Sequence, residues 1–299
     1  MLKITLEQWR MFKSVVHYGG FNQASEGIHK SQSSIHNAVG KIEASLGVKL
    51  FRIEGRKTLL TEAGEMMLRR VDYLLDEAAR VEAIGNSLSQ GVETSLRIAV
   101  DEVFPQALMY RILDSVSAQY PFLRIELMES VLTGSKELLD NAEVDIAISP
   151  ITDSKLFNEE LCQIEFVAVA NPEHHLNQID RPLTLEDLKS HRQIVVRDSA
   201  ASRKQDEGWL QANQRWTVSH MRTSIDMIKS GFGFAWLPIP LIEQELAEGE
   251  LVPLNLETGG KRKAQLFLLF NDGDNLGPAA RTFLGELRYQ SLNLPTSEG

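Results

Sequence analysis

Residues 19–65 read GGFNQASEGIHKSQSSIHNAVGKIEASLGVKLFRIEGRKTLLTEAGE. Within this stretch Ala24 and Ile28 form the apolar side of a short helix that the capping preference of Asn22 would start. A tight connection, His29–Lys30, leads to Ser31, the expected cap of a helix over 32–46. That helix buries Ile35, Val39, Ile42 and Leu46 at spacings of four, three and four, and Gly47 closes it. Two short helices on a tight turn, the second with a polar first turn, predict a helix-turn-helix. Upstream, Leu6, Trp9, Phe12 and Val16 predict a helix over 5–17, stopped by Gly19–Gly20. Downstream, segments 49–53 and 57–61 flank Glu54–Gly55–Arg56 as a small β-hairpin, the wing of a winged helix-turn-helix over 1–61.

The exposed start of the second motif helix carries Gln32, Ser33, Ser34, His36 and Asn37, short polar side chains able to meet base edges in a major groove. Asn22, Gln23, Ser31 and Lys41 border them, and Arg52, Arg56 and Lys57 at the hairpin suit phosphate contacts. A helical bundle with a solvated polar face would show the same spacing. Charge separates the two readings somewhat. The chain carries −10 overall, yet residues 1–61 hold nine Lys/Arg against four acids, and the remainder holds 22 against 37. A basic head on an acidic body is expected where one domain meets a polyanion and the other must not.

Thr61 caps a third long segment, with Glu62 and Glu65 favouring its N-terminal dipole. Met67, Val71, Leu74, Ala78, Val81, Gly85 and Leu88 then alternate spacings of four and three, a coiled-coil seam over 62–91. The seam predicts a dimerisation helix, with one more core helix as the alternative. Gly85 and the polar residues after it are expected to loosen its end into a hinge.

Beyond Thr94 strands alternate with helices, the pattern of parallel α/β units. Strands are expected at 96–100, 124–128, 144–148, 165–170, 193–196, 216–218, 234–237 and 265–270. Helices are expected at 105–119, 134–141, 202–212, 224–230, 240–249 and 278–292. Two such lobes enclose a cleft at their strand ends. That places Asp101, Glu102, Val103, Thr133, Gly134, Ser149, Pro150, Arg197, Asp198, Ser199, Thr223 and Ser224 as candidate ligand contacts. The expected ligand carries an amine or several hydroxyls, with Arg197 taking a carboxylate; an internal Asp101–Arg197 ion pair is the competing expectation.

The blocks LEQWRMF, GGFNQA, SQSSI, IEASLGVKLF and LTEAGE make the first 65 residues resemble the DNA-binding domain of LysR-type transcriptional regulators. LDNAEVDIAI and IKSGFGFAWLP extend the resemblance across the effector domain of that family. It departs at Ser25, Ser33 and His36–Asn37, where the family usually has Ala, Pro and Ser-Arg, so a relative's operator does not carry over. It departs again at Asp101–Glu102, where a small hydroxyl residue is commoner. The resemblance implies an α+β multidomain chain: N-terminal winged helix-turn-helix, long linker helix, and a two-lobed α/β effector domain of periplasmic-binding-protein type at 92–299. Lobe I would comprise about 92–162 and 268–294, and lobe II about 163–267. It also implies near-palindromic double-stranded DNA and a small-molecule effector as partners, a homodimer through the linker helix, and a homotetramer. A small-molecule binding protein with no specific DNA target is the rival reading, for which the seam has no use.

Enzyme motifs do not accumulate. HExxH, GxSxG and a P-loop are missing, and Gly231 and Gly233 form a lone GxG. His174–His175 read as a solvated turn, and Cys162, the single cysteine, as an inert thiol with no resolving partner. No cofactor or metal is expected. With 43% hydrophobic and 24% charged residues, a globular chain is expected. With no 18-residue apolar run and no signal-like N-terminus, membrane association is not expected and the cytoplasm is the expected compartment.

Overall fold

A computed structural model of the chain describes residues 3–55, 57–154, 156–202, 205, 207–271 and 276–292. Arg56 and the tail from 293 lie outside the described residues. The chain divides into two compact units, Met1–Gln90 and Gly91–Gly299.

In the first unit Thr5 and Gln8 form a reciprocal capping box at the start of α1 (Leu6–Tyr18). Helix α2 (Phe21–Gly27) starts one residue before Asn22, because Phe21 packs in edge-to-face contact with Phe51 while Asn22 stands exposed in the first turn. Ser31 caps α3 (Gln32–Leu46), its hydroxyl accepting the Ser34 N–H at 3.2 Å. Ile35, Val39 and Ile42 are buried as expected, whereas Leu46 is exposed, since the last turn runs past the edge of the core. The hairpin strands β1 (Phe51–Glu54) and β2 (Lys57–Leu60) pair antiparallel. Helix α4 (Glu62–Ser89) is unbroken through Gly85, so the expected hinge is not formed there. Helical neighbours on both sides of Gly85 satisfy its backbone, and a single glycine costs only about 1 kcal/mol in a helix.

The second unit opens with β3 (Ser95–Asp101), α5 (Gln106–Gln119), β4 (Arg124–Ser130), α6 (Gly134–Asp140) and β5 (Ile146–Ser149). The long strand β6 (Phe157–Ala170) leads to α7 (Leu185–Lys189), β7 (Arg192–Val196), β8 (Gln214–Val218), α8 (Met221–Lys229) and β9 (Phe234–Pro238). Then follow α9 (Glu243–Ala247), β10 (Val252–Pro253), β11 (Lys261–Phe270) and α10 (Pro278–Ser291). The strands lie in the order β4-β3-β5-β11-β6-β9-β7-β8, with β10 on β6. Parallel pairs occupy both ends, β3 with β4 and β5, and β7 with β8 and β9. Between them β6 and β11 run antiparallel as a ribbon shared by both lobes, with a register shift at Leu266/Phe267. Strand β6 is longer than the expected 165–170 because its first half pairs with β11 on the lobe I side. Helix α10 returns to lobe I, where Glu93 accepts the N–H groups of Ala279 and Ala280 and the Tyr120 hydroxyl meets Thr282 at 3.0 Å.

The helix expected over 202–212 is not formed by the described residues of that segment. Its backbone is captured from outside: Glu137 accepts the N–H groups of Ala201 and Ser202, Asp198 that of Gln205, and Gln193 donates to the Trp209 carbonyl. The helix expected over 240–249 is divided into a 3-10 turn, Ile239–Leu241, and α9.

Candidate nucleic-acid interface and ligand cleft

Helix α3 turns its apolar row inward and leaves Gln32, Ser33, Ser34, His36, Asn37 and Lys41 exposed. Asn22 and Gln23 are exposed on α2, Ser31 at the cap, and Arg52 and Lys57 on the hairpin. These side chains are not equally free. Ser31 Oγ lies 2.7 Å from Ser34 Oγ and 3.1 Å from Ser33 Oγ, so the three hydroxyls form one cluster at the helix start. The His36 ring stacks on Phe21, centroids 3.9 Å apart and 7° from parallel. Its faces are therefore fixed and its ring nitrogens are the atoms available to a base. Arg52 Nε sits 3.4 Å from Glu54, an exposed pair that a phosphate would readily displace.

Beneath this surface Glu43 ties α3 to the wing. Its Oε1 accepts the Leu50 N–H at 2.8 Å and its Oε2 meets Lys49 at 2.6 Å. Burial opposes the charge on Glu43, but the bonds from Lys49, Leu50 and Phe51 outweigh it and hold the carboxyl below its usual range. Thr61 Oγ1 donates to the Lys49 carbonyl at 2.6 Å and accepts the Gly64 N–H at 3.0 Å, seating α4 against the wing.

In the second unit a cavity of about 390 Å³ lies between the lobes. Of the residues expected there, Asp101, Val103, Pro150 and Ser224 line it. Asp101 is buried, and its carboxylate accepts the N–H groups of Val103 at 3.1 Å and Leu132 at 2.7 Å. Burial dominates over those bonds and raises its pKa to about 7. No Asp101–Arg197 ion pair forms: Arg197 is exposed and lies outside the cavity lining.

Of the other expected contacts, Glu102, Thr133, Asp198 and Ser199 join the lobes. Glu102 turns away into a separate pocket of about 200 Å³, meeting His220 Nδ1 at 2.7 Å and accepting the Met221 N–H at 2.5 Å. It thereby occupies the start of α8, which begins three residues before Ser224, with Thr223 exposed in its first turn. Thr133 donates to Asp198 at 2.5 Å, and Ser199 Oγ accepts the Val131 N–H at 2.9 Å. Gly134 packs directly under Ser199, where any side chain would collide with the hydroxyl. Ser149 is buried, its hydroxyl donating to the Leu132 carbonyl and accepting the Ile151 N–H.

Several lining residues escaped the strand-end rule. Gln193, Arg262, Gln265, Phe166, Trp209 and Trp236 belong to lobe II and to the crossing ribbon. Gln193 carried one signal, a polar residue opening the apolar run 193–196. Its Nε2 donates to the Trp209 carbonyl at 2.7 Å, which fixes the amide and leaves the buried Oε1 without a partner; Ser224 Oγ is likewise buried and unpartnered. Each such group costs on the order of 1–3 kcal/mol unless a ligand or water meets it.

Elsewhere His191 stacks on His175, centroids 5.5 Å apart, and meets His174 at a tilt, centroids 5.3 Å apart. Among the described residues no group of His, Cys, Asp and Glu is placed to hold a metal ion. Cys162 is half-buried in β6, and burial pushes its thiol up to about 12, far from a reactive thiolate. The GxG is structural: Gly233, at φ +157°, lets β9 start against the Arg192 carbonyl. No helix among the described residues is long and apolar enough to cross a membrane.

Residues 6–65 match the model of the bacterial regulatory helix-turn-helix protein, lysR family, and residues 89–291 match the LysR substrate binding domain. The chain is 29% identical over 253 residues to the probable HTH-type transcriptional regulator YhaJ of Escherichia coli K12, covering 83% of this chain and 85% of the relative. Its fold resembles that of CrgA, a LysR-type regulator from Neisseria meningitidis, with TM-score 0.55, 23% identity and coverage of 96% and 99%. It also resembles full-length LysG from Corynebacterium glutamicum with bound effector Arg, with TM-score 0.53, 16% identity and coverage of 97% and 98%.

Proposed function

Because the chain belongs to the LysR family of DNA-binding transcription regulators with effector-binding domains, we propose that α3 reads its operator, α4 pairs two chains, and the inter-lobe cavity takes the effector. The functional divisions are 1–61 for DNA, 62–91 for pairing and 92–299 for the effector. Base-edge contacts fall to Gln32, Ser33, Ser34, His36 and Asn37, with Asn37 suited to adenine. Asn22, Gln23, Ser31, Lys41, Arg52, Arg56 and Lys57 hold the phosphates. Pairing through α4 sets two copies of α3 on a near-palindromic site, and two dimers form the tetramer. The assignment includes no catalytic step, and the protein works in the cytoplasm, where the chromosome is accessible.

One observation carries this reading: α3 keeps a continuous exposed row of polar side chains over a row that is fully buried. The test is fluorescence anisotropy with the DNA upstream of the gene and a scrambled duplex, each over several salt concentrations. The expected result is a steep salt slope with preference for the native fragment. Asn37→Ala should lose about 1–3 kcal/mol on that fragment and almost nothing on the scrambled one. Equal binding of both duplexes by wild type and variant would sink the assignment of α3 as the reading element.

A further inference from the structure

The inter-lobe cavity has a definite chemistry. Its open positive charge comes from Arg262 and Lys263. The Arg262 guanidinium carbon lies over the Phe166 ring, 4.2 Å from the centroid. A cation–π contact of this kind does not consume the guanidinium's N–H donors. Among the described residues Arg262 makes no ion pair and no hydrogen bond through them, while burial lowers its pKa against a weaker opposing field from Glu207. Two acids line the cavity as well: Glu207, whose field reaches Arg262, and Asp101, which already has both oxygens on backbone N–H groups.

The uncharged polar atoms add a second requirement. Gln193 Oε1 is an acceptor only, buried and unpartnered, so it calls for an O–H or N–H from whatever fills the space; Ser224 Oγ is equally unpartnered. Phe166 and the pair Trp209 and Trp236, tilted together at 5.8 Å between centroids, give the cavity aromatic walls, while Gln205 and Gln265 add further polar groups. At about 390 Å³ the cavity falls at the small end of the range of small-molecule sites.

Resting on the assignment of this cavity as the effector site, we propose that the effector is a small aromatic carboxylate bearing a hydroxyl or amino group. Its carboxylate lies on Arg262, its ring between the aromatic walls, and its donor group on Gln193 Oε1. The carboxylate expected on Arg197, which lies outside the cavity lining, is thereby assigned to Arg262.

The test uses the full-length protein and four probes in calorimetry: 4-hydroxybenzoate, benzoate, 4-hydroxybenzamide and 4-hydroxybenzylamine. The hydroxy acid should bind at least tenfold more tightly than its amide, as expected for a charge-assisted pair, and more tightly than benzoate. Arg262→Gln should erase the acid–amide difference, and Gln193→Leu the difference between 4-hydroxybenzoate and benzoate. The ranking of probes on the wild-type protein needs no variant, so it stands even where a substitution disturbs folding. Amine or amide binding as tightly as the acid overturns the proposal, as does failure of all four at millimolar concentration. Ala264→Phe, which fills the cavity, separates the two assignments. Amide or amine binding abolished by Ala264→Phe keeps the cavity as the ligand site and removes only the aromatic acid. Probe binding unaffected by it removes the cavity.

Discussion

Asp101 ends a parallel strand in the position where such sheets present ligand-binding groups, yet it is buried and its oxygens face backbone amides. Its pKa is raised from 3.8 to about 7, so the folded chain holds a proton there that the unfolded chain has released. Between about pH 4 and 7 the native state therefore binds more protons at this site, and its contribution to stability falls as pH rises through that window. Urea unfolding of wild type and Asp101→Asn between pH 5 and 8 should show a weaker loss of stability with rising pH in the variant; identical slopes would mean that the carboxyl ionises normally. Asp101 was legible as the end of an apolar run. Arg262 was not, because it precedes the apolar part of β11 in a basic run, Lys261–Lys263, that reads as solvated charge. Only the pairing of β11 with β6 brings it over Phe166.

Gly64, in the first turn of α4, shows how an element is seated. A β-carbon there would collide with the Leu50 carbonyl and lie 2.8 Å from Leu60 Cδ2, so the close approach of α4 to the wing needs a glycine. Gly64→Ala should destabilise the first unit by about 1–3 kcal/mol. Gly40→Ala, inside α3 where the added carbon meets nothing within 4 Å, should stabilise it by about 0.5–1 kcal/mol. Thermal unfolding of both variants checks the pair; a harmless Gly64→Ala would mean the wing and α4 are not so tightly joined. Elements with their own caps and periodic rows, such as α3 with Ser31, Ile35, Val39 and Ile42, could be read locally. The segment after Asp198 could not. Its backbone is held by Glu137, Asp198 and Gln193 from elsewhere in the chain, and these bonds override its local preference.

At the scale of the assembly, α4 leaves Leu74, Val81 and Leu88 more than 40% exposed along one seam, an apolar line with no cover within its own chain. Because these side chains are exposed in the single chain, Leu74→Asp with Val81→Asp should leave each chain folded and shift light scattering from dimer or tetramer to monomer. Operator affinity should fall toward that of a half-site. A variant that keeps its oligomeric mass would remove α4 as the pairing element. The apolar row of α4 was legible because its spacing is local, but Met67 and Val71, expected on the seam, pack into the core of the first unit, where the helix meets α1; the contacts between the lobes were not legible, because Glu102, Glu137, Thr133 and Ser199 act across long stretches of chain. That join has a consequence for how such a protein diverges. Val131, Ser199, Ala201, Ser202 and Met221 all contribute main-chain N–H groups to it, and a main-chain donor survives replacement of its own side chain by anything but proline. The side chains that accept these bonds, Glu102, Glu137 and Ser199, lie outside the cavity wall. A lineage can therefore exchange the wall, residue by residue, while the hydrogen bonds that join the lobes stay intact. Libraries confined to lining positions on β7, β11 and the segment around Trp209 are the natural starting stock for biosensors of new small molecules.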